Sequence, residues 1–461
     1  LNFDNKNILV LGLARSGLAA IYTLHKRGAN ITACDIRDKE QLTNVISELK
    51  FLNIEIFVGG YPEITKEQYD VMVVSPGVPL DIEPVQNAIN EGIKVIGEVE
   101  LAYLLKSPEV QMYAVTGTNG KTTTTALLQN MFEINGDNSV AGGNIGVPLV
   151  KLVDTFEKGI ISVEVSSFQL ESIEQFQPHI CGILNITPDH LDRHKTMQNY
   201  IDAKAKIFKN QNSSNYTILN YEDETVKEFK KITNGKAVLF STNRVLNEGV
   251  FIENDTIISN LFNKYIEICN VDDVKLLGKH NLENALCAVA MGLVAGLNKE
   301  VIHKALTTFD GVSHRLEKVA IDNDVLYIND SKATNPESTI KAIESFKQPV
   351  ILIAGGRAKG ADFSGLAELV ANKVKCLVLI GEAKDSLKRA VIDIGFTNIY
   401  ETDDFYDAVE ISKNQADKGD VVLLSPACAS WDMFKSYEER GNLFCQIVNK
   451  LINDKKLDKS I

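Results

Sequence analysis

The stretch YAVTGTNGKTTTTALLQN, Tyr113–Asn130, decides how this chain is read. It opens as a short apolar strand, turns through a glycine-rich segment and runs into a helix. Gly117 and Gly120 permit a tight turn that aims backbone amides inward, and the helix adds the partial positive charge of its N-terminus. That is the layout of a phosphate-binding loop. Lys121 would reach the terminal phosphates, and Thr122 would offer a hydroxyl to Mg2+. The match to GxxxxGK[ST] is incomplete, because Val115 stands at the first glycine position. A nucleotide site is therefore expected at Gly117, Thr118, Asn119, Gly120, Lys121, Thr122, Thr123 and Thr124.

Two later segments suit a magnesium-nucleotide site. In ISVEVSSFQLE, Glu164 ends a buried apolar strand, where a carboxylate is costly unless it meets a cation or turns to water. NITPDHLDRHKTMQNYIDAKAKIF carries His190 and a helix from about Met197. On it Ile201, Ala205 and Phe208 form an apolar stripe that includes Lys204, while Lys206 and Lys209 are expected to face away. A lysine there needs a partner or a modification, or else snorkels outward.

Around this centre the pattern is α/β. Up to about Gly97, NILVLGL, NITACD, DVMVVSPG and IKVIG alternate with helices, which indicates a parallel sheet. Between about Tyr216 and Ile268 the strands shorten, and GVFIENDTIISN predicts a hairpin turning at Asn254-Asp255. After FDGVSHRLE the alternation restarts with VLYIND, PVILIAGG, CLVLIGE, NIYET and DVVLLSPA. The fold class is α/β with three domains, 1–97, 98–311 and 312–461.

With 461 residues the chain is long enough for several cores, and its net charge of −13 argues against nucleic acid as a partner. Its seven cysteines include no CxxC spacing, which fits reduced thiols in a cytoplasmic enzyme. No signal peptide or membrane-crossing run is apparent, so no membrane is expected as a partner.

TGTNGKTT, VEVSSFQLE, NITPDHLDRH, HNLENA, HRLE, NDSKATNPEST and SPACASWDMF follow one another in order, and together they resemble the Mur ligases of peptidoglycan synthesis. The likeness covers essentially the whole chain and is greatest to the member that adds D-glutamate. It implies two Rossmann-like domains flanking a central P-loop ATPase. It also implies ATP-dependent joining of D-glutamate to UDP-N-acetylmuramoyl-L-alanine through an acyl phosphate. Lys121, Glu164, His190 and Lys204 are then the catalytic group. Thr122 and Glu164 would hold one Mg2+, and His190 and Lys204 a second, with Lys204 carbamylated by CO2. Asn281, Asn284, Arg315 and Asp330 would approach the nucleotide, although Arg315 could equally be a surface ion pair. Asn144 and Ser166 match contacts to the muramoyl-alanine portion, and residues of these types are also common in turns and caps. Lys332, Thr334, Lys359, Ser430 and Tyr437 match the D-glutamate site.

The N-terminal GLARSG has a double reading. Gly12, Ala14 and Gly17 form a GxAxxG fingerprint with Asp35 at the end of the next strand, which alone would suggest NAD. Ahead of an ATPase domain the same loop is expected to cradle a UDP pyrophosphate, with Ser16 near phosphate, Asp35 and Arg37 near uridine and Ser75 as a further substrate contact. The competing functions are another amide ligase of this ATPase family, adding L-alanine or extending folate with glutamate, and a nucleotide-driven switch. No DNPR-type segment of the diamino-acid ligase is present. A monomer is expected.

Overall fold

The computed structural model describes residues 2–458, with side-chain surroundings through residue 453. Three sheets carry the chain, as the three runs of α/β alternation predict. The first contains β1 (Asn7–Leu11), β2 (Asn30–Asp35), β3 (Glu55–Val58), β4 (Val71–Val74) and β5 (Lys94–Gly97). Their order is β3-β2-β1-β4-β5 and all neighbours are parallel, so both faces are covered and the strands are nearly continuous apolar runs.

The second sheet contains β6 (Val110–Thr116), β7 (Ser139–Gly143), β8 (Gly159–Glu164), β9 (Ile180–Ile183), β10 (Tyr216–Asn220), β11 (Lys236–Ser241), β12 (Val250–Glu253), β13 (Thr256–Ser259) and β14 (Ile266–Asn270). Its order is β14-β13-β12-β11-β10-β9-β6-β8-β7. The antiparallel β12–β13 hairpin turns at Asn254 and Asp255, both at positive φ, as a tight hairpin of this sequence requires. The third sheet contains β15 (Glu317–Asp322), β16 (Val325–Asn329), β17 (Val350–Gly355), β18 (Val374–Ile380), β19 (Ile399–Glu401) and β20 (Val421–Leu424), in the order β15-β16-β20-β17-β18-β19. Only β15 runs antiparallel to its neighbour.

Packing groups these sheets into two compact units, residues 2–273 with 283–307, and residues 274–282 with 308–458. The first two sheets share one apolar core, in which Ile8, Val10 and Leu24 join Val99, Leu149 and Val150 and then Met112, Ile161 and Val163. Two buried carboxylates stitch this seam. Glu98 accepts the Val150 amide at 2.7 Å. Glu100, fully buried, accepts the amides of Glu174, Gln175 and Phe176 at 2.9, 2.9 and 3.0 Å.

Two local expectations change. The most buried face of the helix Met197–Ala205 carries Tyr200, Ala203 and Lys204, whereas Ile201 and Ala205 are half-buried. Lys206 does not face away. The chain tightens into a 3-10 turn over Lys206–Phe208, and the Lys206 ammonium donates to Glu171 O at 2.6 Å.

Candidate active site

The loop between β6 and the helix Lys121–Asn135 reverses at two glycines. Gly120 has φ +85°, and a side chain there would place its Cβ 2.0 Å from Asn284 Oδ1. The 15-residue helix that follows directs its N-terminal turn at the loop. Lys121 Nζ donates to Gly117 O at 2.8 Å and Thr118 O at 2.7 Å, folded back over the turn. Not every loop amide is offered to a ligand: Thr118 N donates to Asn185 O, and Asn119 N to Asn185 Oδ1, each at 2.8 Å. Thr122, Thr123 and Thr124 are buried, and Thr124 Oγ1 donates to Asn284 O at 3.5 Å.

Around this loop lie the expected acid and cations. Glu164 is 3% exposed at the end of β8; its Oε1 accepts from Asn144 Nδ2 at 2.6 Å, and its Oε2 is buried with no hydrogen-bond partner. A bare anionic oxygen inside the protein calls for a cation. The Glu164 carboxylate therefore fits a hard, oxygen-seeking ion such as Mg2+. Lys204, 2% exposed, donates to Gly117 O at 2.7 Å and lies 4.7 Å from the Tyr200 ring centre. Burial first, and the Lys121 charge second, hold its ammonium well below the ordinary lysine range, while Asp189 pulls the other way. The carbonyl of Gly117 thus receives both lysines. His190 is half-exposed at positive φ, its ring 4.9 Å from that of Phe168 and its Nε2 3.5 Å from Asp189 Oδ2.

A cleft of about 560 Å3 opens at the N-terminal sheet, lined by Ser16, Asp35, Arg37, Tyr61, Ser75 and Asn144 among others. Its volume suits a small-molecule ligand. The turn above β1 is closely packed: a Cβ on Gly17 would fall 1.8 Å from Gly12 O, which also accepts Ser75 Oγ at 2.7 Å. Asp35 accepts Leu13 N at 2.7 Å and both Nε and Nη2 of Arg37 at 2.9 and 2.7 Å. Burial raises its pKa, but the hydrogen bonds from Arg37 and Leu13 outweigh that and leave it below the usual carboxylate value. Asn144 lines this cleft and also holds Glu164, so one amide touches both sites. Ser166 caps the helix Ser167–Glu171 in a capping box with Gln169. Of these two neighbours, Gln169 is the one that lines the cleft.

In the second unit, Asp330 follows the end of β16, its carboxylate accepting Ser425 Oγ at 2.7 Å and Leu316 N at 3.2 Å. Burial raises its pKa to about 7, against the pull of these hydrogen bonds and of Arg315. Lys332 lies 5.4 Å from the Tyr437 ring centre and Lys359 3.8 Å from that of Trp431. Thr334 is half-buried and Ser430 buried, on the segments after β16 and β20. Asn281, counted with this unit, donates to Leu277 O at 2.6 Å; Asn284 belongs to the first unit. Among the described residues no three His, Cys, Asp or Glu side chains cluster as a ready-made metal centre.

Three family models cover the chain: a MurD-like N-terminal domain at residues 6–97, the Mur ligase middle domain at 115–292 and the Mur ligase glutamate ligase domain at 314–428. The chain belongs to the Mur ligase family. This Mur ligase is 46% identical to the UDP-N-acetylmuramoylalanine--D-glutamate ligases of Pelotomaculum thermopropionicum and Clostridioides difficile, over 98% of its length and 99% and 100% of theirs. It also shares its fold with the UDP-N-acetylmuramate-alanine ligase MurC of Thermotoga maritima (TM-score 0.60, 19% identity, covering 96% of this chain and 99% of that one). The MurF ligase of the same organism, solved with ADP, is alike at TM-score 0.60 and 15% identity, covering 98% of this chain and 96% of that one.

Sequence reasoning missed the loop's supports. Asn185 ties down two loop amides, and Tyr200 Oη meets Thr118 Oγ1 at 3.1 Å. Asp189 stands beside His190 and acts on Lys204. Asn185 and Asp189 lie inside NITPDH and Tyr200 lies one turn before Lys204 on the same helix, so adjacency to the motif was the available signal.

Proposed function

We propose that this Mur ligase is the ATP-dependent enzyme that adds D-glutamate to UDP-N-acetylmuramoyl-L-alanine in peptidoglycan precursor synthesis. The observation that carries it is the match to D-glutamate ligases, which continues through the C-terminal region where the incoming amino acid is chosen. A folate-extending ligase would not need the N-terminal domain, and a switch would not need the C-terminal lysines.

The γ-phosphoryl group of ATP passes to the carboxylate of the UDP substrate, giving an acyl phosphate and ADP. The amine of D-glutamate then adds to the acyl carbon, phosphate leaves and the amine loses a proton. The transferred group and its acceptor are both anionic, so Lys121 at the loop offsets charge as it spreads over the phosphoryl oxygens. Mg2+ held by Thr122 and Glu164 would neutralise further phosphate charge. Asn144 fixes one Glu164 oxygen and leaves the other for that role.

Lys204 suits carbamylation. Burial lowers its pKa and so favours the free amine, whose nitrogen adds to the carbon of CO2 and releases a proton. The anionic carbamate with His190 would hold a second Mg2+. The N-terminal cleft takes the UDP end, with Ser16 and Ser75 near phosphate and Asp35 and Arg37 near uridine. Asn281, Asn284, Arg315 and Asp330 serve the adenine nucleotide. Lys332, Thr334, Lys359, Ser430 and Tyr437 receive the two carboxylates of D-glutamate. We place the domain boundaries at 97/98 and 311/312 and take the enzyme to be a cytoplasmic monomer; no described helix is long and apolar enough to cross a membrane. Light scattering on the eluted protein tests the monomer, which a dimer mass would refute.

The deciding experiment is phosphate release from ATP and Mg2+ with UDP-N-acetylmuramoyl-L-alanine, comparing D-glutamate with L-glutamate, L-alanine, L-lysine and no amino acid. Release with D-glutamate alone is expected. Release with another amino acid would move the specificity, and release without any would refute the ligase.

A further inference from the structure

Lys359 is an unusual cation. It stands exposed at φ +51° in the loop after β17, and among the described residues it forms no ion pair. What it meets is an indole face: its Nζ lies 3.8 Å from the ring centre of Trp431, itself 58% exposed. Two long side chains on a surface would not normally hold such a contact, but here their backbones are locked together.

Arg357 N donates to Ala429 O at 2.8 Å and Ala429 N to Arg357 O at 3.1 Å, which joins the loops after β17 and β20. A Cβ on Gly356 would lie 2.3 Å from Ala429 O, so the approach is as close as glycine permits. The Arg357 guanidinium pairs with Glu382 at 2.9 Å, and Glu382 N donates to Asp432 Oδ2 at 2.9 Å, which brings in the loop after β18. Trp431 sits between two of these anchors, Ala429 and Asp432.

An aromatic face attracts an ammonium through its quadrupole without cancelling its charge. A neighbouring Asp or Glu would also hold Lys359, but would compete with any carboxylate arriving from solution. From this arrangement we propose that Trp431 is a positioning residue: its indole holds the Lys359 ammonium at the ends of β17 and β20, ready to take a carboxylate of the amino-acid substrate. This rests on the reading of Lys359 as a D-glutamate contact.

The test is steady-state kinetics on Trp431→Leu, Trp431→Phe, Lys359→Ala and the Leu/Ala double variant. Trp431→Leu is expected to raise the D-glutamate KM about three- to five-fold, the scale of an exposed cation–π contact, with kcat and the ATP KM unchanged. Trp431→Phe retains a ring and restores the KM to within about two-fold. In the Lys359→Ala background, Trp431→Leu should add nothing. An unchanged KM in Trp431→Leu, or an equal effect with and without Lys359, would overturn the inference. If Lys359→Ala itself leaves the D-glutamate KM unchanged, the underlying reading fails instead.

Discussion

The central loop and the C-terminal strand ends both present lysines, but in opposite settings. Lys204 is buried, and it and Lys121 both donate to the Gly117 carbonyl; Lys359 stands in water against one aromatic ring. The first arrangement is largely enclosed, with Lys204 buried and Lys121 half-buried. On the proposed mechanism the Lys121 charge acts more strongly on a developing transition state there than it would in water, because less solvent screens it. On the proposed reading the second meets a substrate carboxylate arriving from solution, where an exposed cation is within reach without any rearrangement of the fold. On that reading catalysis and recognition divide by burial.

The sharpest test of that division is Lys121→Ala. It should lower kcat by about three orders of magnitude with far less effect on the D-glutamate KM, measured by phosphate release. A change confined to KM would break the comparison. Lys204→Ala should cost about two orders of magnitude, and short-chain carboxylates should restore part of the rate by replacing the carbamate. Full activity of that variant without additive would remove the carbamate from the mechanism. Lys359→Ala should raise the D-glutamate KM about ten- to thirty-fold, the worth of one charge-assisted hydrogen bond, and leave the ATP KM alone.

The smallest effect concerns stability. Burial raises the Glu98 pKa to about 7, against the hydrogen bonds of Val150, Leu149 and Gln169. Because the folded value lies above the unfolded one, this group's contribution is complete below the unfolded value and is lost as pH rises through about 7. Between pH 5 and 8 the melting temperature of the wild type should fall more than that of Glu98→Gln, by less than about 5 °C. Parallel curves would show that Glu98 stays ionised in the seam.

The core strands were legible because buried parallel strands announce themselves as apolar runs, and the phosphate loop because glycines and Lys-Thr sit between such a strand and a helix. Three strands escaped notice. β3 is a four-residue strand at a sheet edge, β7 ends in two glycines, and the polar residues of β15 obscure its alternation. Lys204 was singled out because a charge interrupts an apolar stripe. Tyr200 and Asn185 were not, because Thr118 with Tyr200 and Asn119 with Asn185 are joined across 82 and 66 positions of sequence. No local pattern encodes such pairs. Ser166 shows the converse: its capping box is local, and its role as a helix cap could be read from S-x-x-Q alone.

Trp431 is the only tryptophan among 461 residues. Indole emission from the intact enzyme therefore originates at one position, beside the lysine proposed to meet the amino-acid substrate. A change in the hydration of that ring would appear as a spectral shift, with no dye and no second indole to obscure it. On that reading the enzyme carries its own optical gauge of the amino-acid end, and rapid mixing could follow arrival there separately from phosphate release.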